Sequence, residues 1–380
     1  MRPGAKSAER VMGKFCFVIH PVSFEDVVRY EPGAAGKGRP IVAKILEWMP
    51  PYVAAHLTGI RSPDGRETEG WFVAAPLLPE QMLELPREAV YERILGAIAL
   101  GVELGAQIAG LGAFTGVVGD AGVTIAGRAP IPVTTGNSLT IAAGVRSLLR
   151  AADEMAIDTR ASTAVVVGAT GSIGSSCVEL IAPHVDHIIM VARNETRLRK
   201  AHAELAPRLA CASSYTLDLA AAVRRADLVL TATSSTQDVI EPDDLRTGAV
   251  VCELSLPHDV SRRVASERPD VLVVEGGNMR VPGDLRAMRV REPDRPFDLN
   301  LPRGTLLACM SETALLALDN RLESYTLGRG IDIERVREIE ALAAHSGFEL
   351  ADMRAFDTAI SREKIAAVRA AAAERRGVAS

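Results

Sequence analysis

The chain has 380 residues, a formal charge of −5, 48% hydrophobic and 24% charged residues. That is long enough for more than one domain and ordinary for a globular protein, and an acidic balance with no lysine or arginine block gives no electrostatic footprint for DNA or RNA. The five cysteines lack CxxC pairing, so neither a zinc site nor a disulfide framework is suggested and a reducing cytoplasm is expected.

Residues 1–14 are charged and contain no apolar h-region, which argues against a signal peptide and for a short disordered leader. Phe15–Ile19 reads as a strand. An irregular stretch through Pro32, Gly33 and Gly38 follows, then an apolar strand at 71–75. Residues 86–110 have helical spacing, with Val90, Ile94, Ile98, Val102 and Ala106 on one stripe. The very apolar region 94–124 is broken by Glu103, Gln107, Asp120 and many glycines, so it reads as a buried helix and a glycine-rich loop rather than a membrane span. The segment 111–116 is too glycine-rich for a helix and too apolar for an exposed loop, which makes it a candidate pocket lining. Residues 15–150 are therefore assigned to an N-terminal α/β substrate domain, with a helix at 140–155 crossing into the next.

Residues 165–174, VVVGATGSIG, carry the clearest chemistry. A strand, Thr163–Val167, would run into Gly168, which permits a sharp turn; Gly171 would let the backbone approach a pyrophosphate, and Gly174 would let the next helix pack closely. The phosphates would meet that helix's N-terminus. A second strand, His187–Val191, ends at Arg193, where an NAD enzyme places an acid for the ribose hydroxyls and where an arginine suits a 2′-phosphate. NADPH is the cofactor this predicts, held by Gly168, Thr170, Gly171, Ser172, Ile173, Gly174, Arg193, Asn194, Thr231 and Thr233. The plainer alternative is a phosphate-free turn in an ordinary parallel sheet.

Further apolar strands at 226–231, 250–254 and 271–275 alternate with helical segments. The fold class read from this is α/β, a doubly wound parallel Rossmann sheet over 156–300, with C-terminal helices over 301–380. A turn-rich, arginine-bearing segment, 279–303, precedes helices at 305–320, Ile333–His345 and 361–376.

A nicotinamide fold needs a substrate site, and the apolar helix around Cys309 offers one. With Leu307, Met310, Ala314 and Leu318 as core stripe, Cys309 and Glu312 share a flank at i, i+3 spacing. Cysteine in an apolar helix is commonly a small buried hydrophobe, so pattern alone leaves both readings open. A helix terminus contributes about 0.3 to 1 kcal/mol, less than the roughly 1.36 kcal/mol of one pKa unit. A reactive Cys309 therefore needs a cation or base, for which His258 and Arg303 are candidates and which Glu312 could orient. Thr135 and Asn137 sit in a hydroxyl- and amide-rich run; either could cap the crossing helix or hydrogen-bond a carbonyl or nicotinamide amide.

Taken in order, 110–115, 134–137, 167–175, 192–194, Ala308-Cys309 with Glu312, 327–329 and 346–348 resemble the long-chain acyl-[acyl-carrier-protein] reductases of cyanobacterial alkane synthesis. The likeness runs from about Phe15 to Phe348. It implies NADPH-dependent reduction of a fatty acyl thioester, on acyl carrier protein or CoA, to an aldehyde through an acyl-cysteine intermediate. Cys309 matches the family's nucleophile, and Glu312, Thr135 and Asn137, which lie within the resembling motifs, are the further catalytic candidates. Met310, Ser311, Thr313 and the loop 33–38 depart from the family pattern, which bears on chain-length preference. The resemblance leaves room for peripheral membrane contact, and arginines at 280–303 could dock an acidic carrier protein or form a mixed-charge face.

A shikimate- or amino-acid-type NADP-dependent dehydrogenase shares the domain order but needs an Asn-x-Thr-x-Pro-x-Lys pattern that the sequence lacks. Glutamyl-tRNA reductase also joins thioester chemistry to NADPH, yet its thiol belongs in the N-terminal domain, where only Cys16 lies, and its tRNA favours a basic surface. A non-enzymatic NADP(H)-binding protein is the third alternative.

Overall fold

A computed structural model describes residues 12–235 and 237–378. The chain forms two compact units that are interleaved in sequence. One holds the residues up to Gly136 with Met279–Leu327 and Ala341–Glu349; the other holds Asn137–Asn278, Gly328–Glu340 and the residues from Leu350 on. The linear division at 150, 156 and 300 gives way to this one. The strand Gly283–Arg289 explains part of the difference, since it hydrogen-bonds into the first unit's sheet instead of ending the second.

The first unit is built on a six-stranded mixed sheet. Its strands are β1 (Phe15–Ile19), β2 (Tyr52–Arg61), β3 (Glu67–Ala74), β4 (Ile108–Leu111) and β5 (Val133–Thr134). The order is Gly283–Arg289, β2, β3, β1, β4, β5, with β2 antiparallel to both its neighbours and the rest parallel. β1 is buried on both faces, as a central parallel strand should be. Cys16 and Val18 face the helix Arg87–Glu103, whose Val90, Ile94 and Ile98 complete that core. This helix stops short of the predicted 110, and Ile108–Leu111 is β4. Its close approach is visible at Gly101, where a Cβ would lie 2.4 Å from the Cys16 sulfur.

Of the expected leader, residues 1–11 lie outside the described residues, whereas Met12–Lys14 are tied down. Met12 N–H donates to Glu67 O at 3.0 Å and Lys14 pairs with Glu69 at 2.6 Å. The segment read as turn-rich and arginine-bearing, 279–303, also contains the Gly283–Arg289 strand, and four of its arginines are paired. Arg286 and Arg303 share Asp284, and Arg289 and Arg295 share Glu292.

The second unit is a six-stranded parallel sheet with flanking helices. Its strands are β6 (Thr163–Val167), β7 (His187–Val191), β8 (Ala212–Thr216), β9 (Leu228–Thr231), β10 (Val250–Glu253) and β11 (Leu272–Glu275). They run β8-β7-β6-β9-β10-β11, which is the 3-2-1-4-5-6 order of the Rossmann fold. β6, β9 and β10 are buried runs of branched residues, while the edge strand β8 is polar and half-exposed, which hid it from a search for apolar runs. One face packs on the helix Asn137–Glu154 through Ile141, Val145 and Leu148, together with Val336, Ile365, Val368 and Ala372 from much later in the chain. Among the described residues no helix is long and apolar enough to cross a membrane.

Candidate active site

In the Rossmann unit the chain reverses at the carboxyl end of β6. Gly168 has φ +85°, and a Cβ there would lie 2.3 Å from Ala232 O, so only glycine takes this turn unstrained. Its N–H donates to Val191 O at 2.9 Å. A Cβ on Gly174 would meet Gly168 O at 2.3 Å, which is how closely the helix Ser172–Ile181 packs on the turn. Gly171 stands at the N-cap of that helix without a side-chain cap, leaving first-turn amides for another acceptor. Ser172, Ile173 and Thr170 around it are half-exposed.

Register places β6, β9, β10 and β11 so that Val167, Thr231, Glu253 and Glu275 form one row at the carboxyl edge. The switch point, where the strand order reverses, lies between β6 and β9. On its far side Thr231 is wholly buried and its Oγ1 has no hydrogen-bond partner among the described residues. An uncapped helix start, a cradle that a Cβ would fill and an orphaned hydroxyl are the features a dinucleotide's phosphates and ribose need. The residues present fit that group.

The other residues assigned to the cofactor have varied surroundings. Arg193 is exposed and forms no ion pair among the described residues. Asn194 caps the helix Glu195–Leu205, its Oδ1 accepting from Arg197 N–H at 2.9 Å. Thr233 Oγ1 donates to Asp259 Oδ1 at 2.5 Å, and its N–H donates to Ser255 Oγ at 2.8 Å. Burial raises the Asp259 carboxyl above its ordinary range.

In the mixed-sheet unit the helix Ala308–Leu318 carries Cys309 as its second residue. Met310 to Leu318 are all buried, so the predicted stripe and flank do not exist: the helix is enclosed on every side. It crosses the sheet where small residues allow. A Cβ on Gly110 would fall 2.2 Å from Thr313 Oγ1, and one on Gly136, at φ +71°, would fall 2.3 Å from Cys309 Cα.

Glu312, expected beside Cys309 on an accessible flank, has no exposed surface. Its Oε1 accepts from Thr134 Oγ1 at 2.5 Å and from Thr326 Oγ1 at 2.9 Å. Thr134 Oγ1 in turn accepts from Gly136 N–H at 3.3 Å and Thr326 N–H at 3.1 Å. Glu312 is thus the centre of a buried network that holds the 134–136 turn against the cysteine helix. The sequence reading missed Thr134 and Thr326; the TTGN run hinted at the first, and only the fold reveals the second. Thr135 is not a helix cap: its N–H and Oγ1 both donate to Thr326 O, at 2.9 and 3.1 Å. Asn137 is the first residue of its helix and belongs to the Rossmann unit.

Cys309 keeps part of its surface exposed, unlike Cys16, Cys177 and Cys252. Dense surroundings push its thiol up from 9.0 to about 12, Glu312 adds to the rise, and the Met310 amide opposes it. That rise works against the thiolate by more than a helix start returns. No cation is among the groups that shift it. The two candidates for that role are engaged elsewhere, Arg303 with Asp284 at 3.1 Å and His258 with Glu253 at 2.7 Å.

Comparison with known proteins adds the following. Residues 150–275 match the Shikimate / quinate 5-dehydrogenase family, a span that lies within the Rossmann unit. The chain is 30% identical over 310 residues to the aminotransferase PigE of Serratia sp., covering 80% of this chain and only 35% of that protein. It is 27% identical over 314 residues to the long-chain acyl-[acyl-carrier-protein] reductase of Synechococcus elongatus, covering 79% of this chain and 87% of that protein. Among solved structures, glutamyl-tRNA reductase from Methanopyrus kandleri superposes with a TM-score of 0.29 at 16% identity, over 62% of this chain and 43% of that one. So distant a superposition carries no functional weight. The chain thus carries a Rossmann nucleotide unit of the NAD(P)-binding dehydrogenase type and is homologous over most of its length to the cyanobacterial reductase, while it spans about a third of the length of the Serratia protein.

Proposed function

We propose that the protein reduces a fatty acyl thioester, carried on acyl carrier protein or CoA, to the corresponding aldehyde with NADPH, through a thioester on Cys309. The observation that carries this reading is Cys309 itself: a half-exposed thiol one residue inside a helix start, held by a buried carboxylate network, in a chain homologous along most of its length to the Synechococcus reductase. The match to the shikimate dehydrogenase family stops at the nucleotide unit and says nothing of the substrate side.

Bound NADPH supplies the hydride. Gly168, Gly171 and the first turn of the Ser172–Ile181 helix would hold its pyrophosphate, and Arg193 its 2′-phosphate. Cys309 loses its proton and its sulfur attacks the thioester carbon; the carrier's thiolate leaves and is protonated. The Met310 amide works against the rise in the thiol's pKa and so favours negative charge on the sulfur. Because burial keeps the resting thiol protonated, the free protein is poorly reactive, and acylation depends on a base that acts once substrate is bound. The Glu312 network keeps the cysteine helix and the 134–136 turn in one arrangement while the acyl group is attached.

The test is intact-protein mass spectrometry after incubation with acyl carrier protein and CoA thioesters of several chain lengths, without NADPH. The expected result is a gain of one acyl group that disappears in Cys309→Ser and on adding NADPH, with aldehyde released. Turnover without any adduct on Cys309 overturns the covalent route; turnover of shikimate or an amino acid, and none of a thioester, overturns the substrate class.

A further inference from the structure

The carboxyl edge of the Rossmann sheet carries a histidine that the mechanism above leaves unused. Glu253 ends β10 with its side chain buried, and both its oxygens are engaged. Oε1 accepts from the backbone N–H groups of Asp259 and Val260, the latter at 2.8 Å, and Oε2 accepts from His258 Nδ1 at 2.7 Å. His258 Nε2 has no hydrogen-bond partner among the described residues, and the side chain is 23% exposed. A fixed carboxylate on Nδ1 with a free, partly accessible Nε2 is the arrangement in which imidazole hands protons to a bound group.

Its place in the sheet says which group. The Rossmann crevice has two mononucleotide halves, and Arg193 after β7 marks the adenosine end. The half built from β9, β10 and β11 is left for the nicotinamide, and His258 follows β10 there. Any carbonyl that accepts hydride must reach the nicotinamide, and a donor on this side would be the one placed to serve its oxygen.

We propose that His258 is the proton donor to the carbonyl oxygen being reduced, with Glu253 as its positioning residue. This rests on the thioester-reduction reading only for the identity of the carbonyl. As hydride adds to carbon, the C=O electron pair moves to oxygen, which takes the Nε2 proton. When the C–S bond then breaks, the oxygen returns that proton to imidazole, the pair leaves with sulfur, and solvent protonates the thiolate. One hydride and one proton are consumed for each aldehyde.

The charges around His258 favour this role. Glu253 on β10, Glu275 on β11 and Asp357 in the turn between Arg354–Ala355 and Thr358–Ala359 all raise its pKa above the ordinary 6.5, against desolvation, which lowers it. Arg262 and Arg354 temper the field, the first pairing with Asp357 at 2.5 Å and the second lying 4.0 Å from Glu275. The balance favours the protonated imidazole.

The experiment has two arms on the full chain. In the first, histidines are labelled with 13C at Cε1, the His258 signal is identified by its loss in His258→Gln, and the protein is titrated with NADP+ and with 2′,5′-ADP. NADP+ is expected to move the His258 signal and 2′,5′-ADP to leave it in place, with a titration midpoint above 6.5 that falls in Glu253→Gln. Absence of an NADP+-specific shift overturns the proposal without touching the thioester reading. In the second, acyl-enzyme is formed without NADPH, weighed, and mixed with NADPH in a single turnover. His258→Gln should form the adduct normally and then transfer hydride about 100-fold more slowly. The wild-type rate should fall as pH rises through the His258 midpoint, and that limb should be missing in the variant. Equal rates, or a persisting limb, overturn the donor role; no adduct in the wild type sinks the thioester reading and leaves the first arm to decide on His258.

Discussion

Arg193 and Cys309 show how single positions divide the labour. Arg193 is exposed and unpaired among the described residues, so it is free for a phosphate and contributes nothing to packing. Its replacement by alanine is expected to weaken NADPH by about 10- to 100-fold, the worth of one charge-assisted contact, and to leave NADH within twofold. Fluorescence titration with both dinucleotides measures this; equal losses would remove Arg193 from the site. At Cys309 the residue type was legible and its electrostatics were not. A sequence can place a thiol near a helix start, but the rise to about 12 comes from atoms contributed by distant segments. Arg303 and His258, the candidate cations, are each paired with a carboxylate that spacing along the chain could not reveal.

At the level of elements, glycine was the most readable residue. β6, the turn at Gly168 and β7 follow from an apolar run, a glycine pattern and a second apolar run, and the structure has both strands at the predicted bounds. The cysteine helix was less readable, because a helix buried on all sides has no stripe to show which flank is open. Its position depends on Gly136 instead. Gly136→Ala would put a methyl group 2.3 Å from Cys309 Cα at φ +71°. The expected cost is about 3 kcal/mol of stability from backbone strain and overpacking, with slower acylation of Cys309. Urea denaturation and the rate of adduct formation read the two effects, and a stable variant that acylates normally would show that the turn has room. β2 and the Gly283–Arg289 strand escaped notice because their alternating polar residues and a positive-φ glycine break the apolar pattern.

For the molecule as a whole, sequence reading found the fold class and missed how the chain is shared out. Boundaries were drawn where composition changes, whereas the units are joined by returns of the chain: the end of the protein helps complete the Rossmann core. Val368 belongs to a helix whose sequence is charged and rich in alanine, and it is 1% exposed and packs with Val336 and Ile365 against the nucleotide-binding sheet. Val368→Ala is expected to cost about 2 kcal/mol, where a surface position would change stability by no more than about 0.5. A shift in the urea midpoint with an unchanged slope checks it.

The same interleaving constrains how the protein is made. A ribosome releases the Rossmann strands long before the segment containing Ile365 and Val368, and it releases β1 to β5 long before the Cys309 helix that covers them. Neither unit can close before its late segments are made, the first needing the Cys309 helix and Ala341–Glu349 and the second the segment with Ile365 and Val368, so the units do not mature in simple N-to-C order. Until those segments emerge, two incomplete apolar surfaces stay exposed together, and the nascent polypeptide is most open to aggregation in that interval.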